Sequence, residues 1–286
     1  MRTTSSWLAA LAAAVAMMLV VGPALAFNAN TVPNLTVWLK ADAGVLTNSS
    51  GVVTTWLDQS GNGHNGANSL ASSPTNPKYT NSAAQLGSQP ALVFTHDGTG
   101  ITLGNLGSSF PSAATLFVVA SINDAGYNIF ITKDSQTWWR YSGNGYAYPG
   151  AFRAGRIETY AIEPSTGAYI FQVESSASNW RMLTNGVSQG NYAASYSGGD
   201  NYRIGYGPDA GGFSGQIAEV LVYSRILSSN EQNQVGSYLA WKYSLPTTYP
   251  ALPIISNRDA TNVTATTAIT SVGAAVRDTA CTKEMR

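Results

Sequence analysis

The stretch that most constrains this chain is Asn201 to Leu245, NYRIGYGPDAGGFSGQIAEVLVYSRILSSNEQNQVGSYLAWKYSL. Tyr202 to Tyr206 has strand character, a Gly-rich turn follows, and a long strand is expected from Phe213 to Arg225. Within that strand Ile217, Val220 and Val222 form a β-branched run suited to a buried position in a sheet. Ser228-Ser229-Asn230-Glu231 then reads as a capping box. The Ser228 hydroxyl can accept from the amide of Glu231 while the Glu231 carboxylate reaches back to the cap. Val235, Tyr238, Leu239 and the stem of Lys242 recur at helical period. The spacing predicts one helix over Ser229 to Tyr243, packed by Val235 and Leu239. A lone helix closing a β-rich chain is a marker of topology more than of chemistry.

Earlier segments have the same strand character. They are Leu35-Thr36-Val37-Trp38-Leu39-Lys40-Ala41-Asp42, Gln89-Pro90-Ala91-Leu92-Val93-Phe94 and Thr115-Leu116-Phe117-Val118-Val119-Ala120. Further strands are expected at Tyr127 to Lys133, Gln136 to Tyr141, Ala168 to Ser175 and Asn179 to Thr184. Asn185-Gly186 after the last of these predicts a type I′ hairpin turn. Val53-Thr54-Thr55-Trp56-Leu57-Asp58-Gln59-Ser60-Gly61-Asn62-Gly63-His64-Asn65-Gly66 is a strand running into a WxDxSGNGxxG turn. Together with the closing strand and helix, these motifs resemble the laminin G-like, concanavalin A-like lectin/glucanase superfamily of secreted bacterial proteins. The resemblance runs from about Asn34 to Leu245. It implies an all-β, two-sheet antiparallel jelly-roll sandwich with one short C-terminal helix. That fold hosts lectins, hydrolases, adhesion modules and spacers, so function has to be argued from a site.

Residues 1–26 read as a secretory signal peptide. Arg2 supplies the charge, Trp7 to Val21 the apolar core, and Ala24-Leu25-Ala26 the cleavage pattern. Gly22-Pro23 breaks the apolar run, which is short for a membrane span. Secretion to an extracellular or cell-surface location is expected, with no membrane insertion after cleavage. The chain has 15 Lys and Arg against 15 Asp and Glu, and loss of Arg2 leaves it one charge negative. This excludes an electrostatic mode of binding nucleic acid. Charged residues are 10% of the chain, against ~25% in average soluble domains. A surface of Ser, Thr, Asn, Gln and Gly suits partners recognised by hydrogen bonds and stacking, such as a glycan or glycoprotein surface. Cys281 is the one cysteine, so an internal disulfide is excluded. The sequons at Asn34, Asn48 and Asn262 read as chance in an Asn/Thr-rich chain.

The β-domain is expected over 27–245. The tail, 246–286, lacks aromatics after Tyr249. Its Pro253-Ile254-Ile255-Ser256-Asn257 and Ala260 to Ala268 resemble the opening of a fibronectin-like repeat, and a charged run, Arg277 to Arg286, ends it. It reads as a linker or truncated repeat, which suggests a module of a larger multidomain protein.

Candidate chemistry starts with what is missing. Laminarinase-type relatives carry their acids as ExDxE on one strand, and that pattern is absent. Glu158 and Glu163 are spaced for opposite faces of a strand. His64 and His96 lie in turn contexts, and no GxSxG is present. The chain is therefore expected not to be an enzyme. Asp58 in the SGNG turn reads first as an acceptor for backbone amides of the turn. A structural Ca²⁺ is the alternative. Relatives that bind one use an Asp on the final strand, where this chain has Ala218 followed by Glu219. Asp200, Asn201 and Asp209 are a second candidate set.

Aromatics are the strongest functional lead. Trp138, Trp139, Tyr141, Tyr146 and Tyr148 cluster with Arg140 and Asn144. Rings can stack on the apolar face of a sugar while polar groups bond its hydroxyls. Strand alternation puts Trp139 and Tyr141 on a core face and Trp138 and Arg140 on the other. Trp138, Arg140, Asn144, Tyr146 and Tyr148 are the candidate ligand residues, with Tyr192 and Tyr196 as a second group. Trp38, Trp56, Phe94 and Phe117 are expected in the core. Three functions follow: a secreted carbohydrate-binding module, a structural or adhesion module of a larger surface protein, and a degenerate glycoside hydrolase.

Overall fold

The computed structural model describes residues 27–67, 76–95, 99–104, 106, 113–123, 128–133, 136–142, 146–149, 166–176, 178–193, 202–207 and 211–251. In chain order the strands are β1 (Leu35–Lys40), β2 (Val45–Thr47), β3 (Val53–Trp56), β4 (Gly66–Ala67), β5 (Lys78–Ala83), β6 (Gln89–Phe94), β7 (Ile101–Gly104), β8 (Ala114–Ile122) and β9 (Asn128–Lys133). They continue with β10 (Gln136–Ser142), β11 (Tyr146–Pro149), β12 (Gly167–Ser175), β13 (Asn179–Thr184), β14 (Val187–Ala193), β15 (Tyr202–Ile204), β16 (Tyr206–Gly207), β17 (Gly211–Gly212) and β18 (Gly215–Tyr223). The helix α1 is Ser229–Tyr243.

Two eight-stranded antiparallel sheets carry the fold. The first has the order β14-β13-β12-β8-β18-β6-β5, with β1 also paired to β18. β6 covers the start of β18, at Gly215 to Ile217, and β1 covers its end, at Glu219 to Tyr223. The second sheet has the order β11-β10-β9-β15-β7-β4-β3-β2. On one flank the sheets are stitched by backbone bonds, Val53 N to Pro77 O at 2.9 Å and Tyr79 N to Gly51 O at 3.0 Å. The other end of each order is β14 in one sheet and the β10–β11 hairpin in the other. This is an all-β sandwich of antiparallel sheets with one α-helix among the described residues.

The central strands β8 and β18 are buried on both faces, so their apolar residues run without alternation. Leu116, Val118, Ala120 and Ile122 point into the core between the sheets. Phe117 and Val119 point into a second core, beneath α1. The four aromatics expected inside are all buried, and they divide between the two cores. Trp56 and Phe94 lie between the sheets; Trp38 and Phe117 lie under the helix.

The register of β18 shifts between Ile217 and Glu219, leaving Ala218 without a partner on β8. A bulge of this kind resets the alternation of the strand. Ile217, Val220 and Val222 face the other sheet, while Ala218 and Leu221 face the helix. Without the extra residue, Glu219 would follow Ile217 into the apolar core between the sheets.

The local signals of α1 are met. Ser228 Oγ accepts from Glu231 N at 3.4 Å, and Glu231 Oε2 accepts from Ser228 N at 2.9 Å. Arg225 joins the box, donating to Glu231 Oε1 at 2.6 Å and Oε2 at 2.9 Å. Val235 and Leu239 are fully buried. At the hairpin, Asn185 and Gly186 both have positive φ, 51° and 83°, as a type I′ turn requires.

The compact unit is Phe27–Leu252, which reaches past the boundary expected at Leu245. The reason is Tyr249, 7% exposed. Its ring lies against Gly236, where no Cβ would fit, and its hydroxyl donates to Gln172 Oε1. Thr248 N donates to Asn185 O at 2.9 Å, so this strap also holds the β13–β14 turn. The expected long strand is trimmed to Gly215–Tyr223, and Tyr202 to Tyr206 is broken at Gly205. Gly205 has φ 77°, and a Cβ there would strike the Phe94 ring.

Two outcomes follow from this arrangement. Val235→Asp puts an unpaired carboxylate into the helix-side core, so denaturant melts should show a loss of several kcal/mol. The second concerns pH. The Arg225 guanidinium, then the Ser228 hydroxyl and amide, hold Glu231 down to about 2. A carboxyl whose folded pKa is depressed stabilises in full above its unfolded value, about 4.3. That contribution is lost as the pH falls through the folded pKa. The stability gap between wild type and Glu231→Gln should hold steady above pH ~4.3 and close toward pH ~2.

Candidate functional site

Asp58 is placed by β3 and the turn that follows it. Its Oδ1 accepts from Trp38 N at 2.9 Å and Ser60 N at 2.9 Å; its Oδ2 accepts from Ser60 Oγ at 2.7 Å and His64 N at 3.0 Å. Asn65 Oδ1 accepts from Asp58 N at 2.9 Å, and Asn62 Nδ2 donates to Leu35 O at 2.8 Å. The WxDxSGNGxxG motif is thus a staple that closes the turn and fixes the start of β1. The carboxylate serves backbone amides, and no group of three or more His, Cys, Asp or Glu suited to a metal occurs among the described residues. Asp200, Asn201 and Asp209 lie outside the described residues.

The aromatic candidates fall at the ends of the sheet orders away from the stitched strands. β10 and β11 form an edge hairpin. Arg140 lies opposite Tyr148, Ser142 opposite Tyr146, and Tyr141 opposite Ala147. Tyr192 lies on β14, the edge of the other sheet, opposite Trp180. Asn144 and Tyr196 lie outside the described residues. Pairing of β10 with β9 runs from Thr137–Thr132 to Trp139–Ile131 and then Arg140–Ile129. The ladder skips Trp138 and shifts again after Trp139. Strict alternation, on which the assignment of faces rested, does not hold across such a break.

Among the described residues, the most connected side chains were not foreseen as a group. Glu219 is fully buried. Its Oε1 accepts from Trp38 Nε1 at 2.6 Å and Tyr238 Oη at 3.1 Å; its Oε2 accepts from Tyr243 Oη at 2.8 Å and Lys242 Nζ at 2.8 Å. Lys242 Nζ also reaches Asp42 Oδ1 at 3.1 Å. Burial and the Glu219 carboxylate push the Tyr238 and Tyr243 phenols well up, so both remain donors. The sequence signals were a Glu inside an apolar strand and a Lys on the apolar stripe of the helix. A second cluster lies beside it. Gln172 donates to Glu174 Oε1 and Gln232 Oε1, each at 3.0 Å, and Arg181 donates to Glu174 Oε1 at 3.2 Å. Burial raises the Glu174 pKa, with Arg181 opposing the shift.

No family model and no curated protein matches the chain. Solved structures do. It is similar to Trypanosoma rangeli sialidase in complex with the inhibitor DANA, at 13% identity and TM-score 0.49, over 71% of this chain and 32% of that one. It is similar to domain 4 of AbnA, a GH43 extracellular arabinanase from Geobacillus stearothermophilus, in complex with arabinotriose. There the identity is 16% and the TM-score 0.47, over 73% of this chain and 98% of that one. The binding domain of Paraclostridial Mosquitocidal Protein 1 aligns at 11% identity and TM-score 0.48, over 73% and 53%. The chain spans about a third of the sialidase's length.

These neighbours correct one expectation. A sialidase and a GH43 arabinanase stand among them, so the expectation that the chain is not an enzyme is withdrawn. The missing ExDxE pattern excludes one arrangement of catalytic acids only.

The Asp58 staple yields an outcome of its own. Asp58→Ala leaves the amides of Trp38, Ser60 and His64 without their acceptor and should cost about 1–3 kcal/mol. Thermal melts with and without added Ca²⁺ should show the same loss; a wild-type midpoint that rises with Ca²⁺ would return Asp58 to the metal reading.

Proposed function

We propose that this chain is a secreted, glycan-interacting domain of the concanavalin A-like, laminin G-like kind, its sandwich connected as a jelly roll. The partner is a glycan or glycoprotein surface, and the domain acts within a larger cell-surface protein. The observation that carries the reading is the ladder of the edge hairpin, where Arg140 lies opposite Tyr148 and Ser142 opposite Tyr146. Cross-strand neighbours are within reach of one another. Arg, Ser and Tyr residues placed in register at one sheet edge are of the types that sugar recognition uses: flat rings for the C–H side and donors for the hydroxyls. Trp138, at the break in the β10 ladder, adds a further ring, and Tyr192 sits on the edge strand of the facing sheet. The low charge of the chain agrees with recognition by hydrogen bonds and stacking.

A glycan array on the full chain tests the reading, with titration of whichever sugar scores. Trp138→Ala should weaken binding by about 1–3 kcal/mol, toward the lower end because a sugar face is not a π-system. The melting temperature should be unchanged. Lost stability with unchanged binding would assign Trp138 to the core, and an array without any ligand would overturn the glycan reading.

A further inference from the structure

The Lys242–Asp42–Glu219 cluster holds an amine and two carboxylates in contact at a place that the proposed glycan site does not use. Lys242 Nζ is 3.1 Å from Asp42 Oδ1 and 2.8 Å from Glu219 Oε2. Nζ lies against the Tyr238 and Tyr243 rings, at 5.6 Å and 5.1 Å from their centroids. The Lys242 side chain is 9% exposed, Glu219 not at all, and Asp42 34%. The amine and the Asp42 carboxylate are held in contact, with the amine almost out of water. Positioned at contact, they also react as one molecule would, at a very high effective concentration.

The geometry points to a self-formed covalent cross-link, an isopeptide bond between Lys242 Nζ and Asp42 Cγ, with Glu219 as the proton relay. Lys242 passes a proton to Glu219 and its lone pair attacks Cγ of Asp42. The Nζ–Cγ bond forms and one Cγ–O bond breaks. The departing oxygen takes two of the three ammonium protons, one of them by way of Glu219, and leaves as water through the exposed side of Asp42. Two charges become one neutral amide, Glu219 ends as it began, and no oxidant or cofactor is consumed. Glu219 keeps Trp38, Tyr238 and Tyr243 as donors, which fixes it beside the reacting pair. The link would tie the turn after β1 to the last turn of α1, joining residues 200 positions apart in the sequence. In a chain with one cysteine, it supplies the staple that a disulfide cannot.

Peptide mass spectrometry of the full chain, unfolded and digested with trypsin, decides the matter. Trypsin does not cut after an acylated lysine. The expected product is Ala41–Lys78 joined to Ile226–Arg258, lighter than the two separate peptides by the mass of one water. Asp42→Ala, at a partly exposed position, should give a folded protein in which the joined species is gone and cutting after Lys242 is restored. Glu219→Gln should keep Lys242 and Asp42 unlinked. Recovery of unlinked Ala41–Lys78 and Tyr243–Arg258 from folded wild-type protein would overturn the proposal and leave the cluster an ion pair.

Discussion

A carboxylate placed inside a protein must be surrounded by donors or it unfolds what holds it. Glu219 is that constraint here. Its donors come from β1, through the indole of Trp38, and from two turns of α1, through Tyr238, Lys242 and Tyr243. One buried anion therefore fixes three elements against each other: the strand that carries it, the strand beside it and the helix above. The bulge at Ala218 makes this feasible. It turns Glu219 away from the apolar space between the sheets and toward the helix, where Tyr238, Tyr243 and Lys242 meet it. A regular strand of the same composition would carry the charge into the wrong core.

The helix-side core has consequences for the rest of the surface. α1 and the strap through Tyr249 cover the outer face of the first sheet, where Phe117, Val119 and Leu221 are buried. One flank is closed by the backbone bonds between Pro77 and Val53 and between Gly51 and Tyr79. The recognition site proposed above lies at the other ends of the sheet orders, on β14 and the β10–β11 hairpin. Residues opposite one another on that hairpin are within reach of each other. The strap adds a connection between the two regions, because Thr248 and Tyr249 hold the β13–β14 turn and Gln172 at once. The part of the chain that closes the helix core also steadies the hairpin that bears Tyr192.

Much of the local structure was legible in the sequence. The capping box at Ser228 and Glu231, the type I′ turn at Asn185-Gly186 and the amide-binding role of Asp58 each depend on residues a few positions apart. Such geometry is written in short spacings. The β-branched run Ile217, Val220 and Val222 announced a strand buried in a sheet. The candidate site was legible only as a cluster of residue types. Its pairing of Arg140 with Tyr148 follows from the hairpin register. The break at Trp138 does not follow from composition, since a bulge depends on how a neighbouring strand pairs.

By itself, then, the sequence determined most of the longer strands, where the described α-helix begins and ends, and that Trp38, Trp56, Phe94 and Phe117 are buried; the short strands β2, β4, β5, β7 and β11 it did not announce. Those outcomes follow from periodicity and short-range hydrogen bonds. Tertiary structure alone decided which of two cores each aromatic enters, and that Glu219, Trp38 and Lys242 meet. Trp38 and Glu219 are 181 positions apart. No short spacing encodes such a contact. It exists because β1 and β18 pair, because a bulge turns one residue over, and because a charge so placed is stable only where the helix brings its donors.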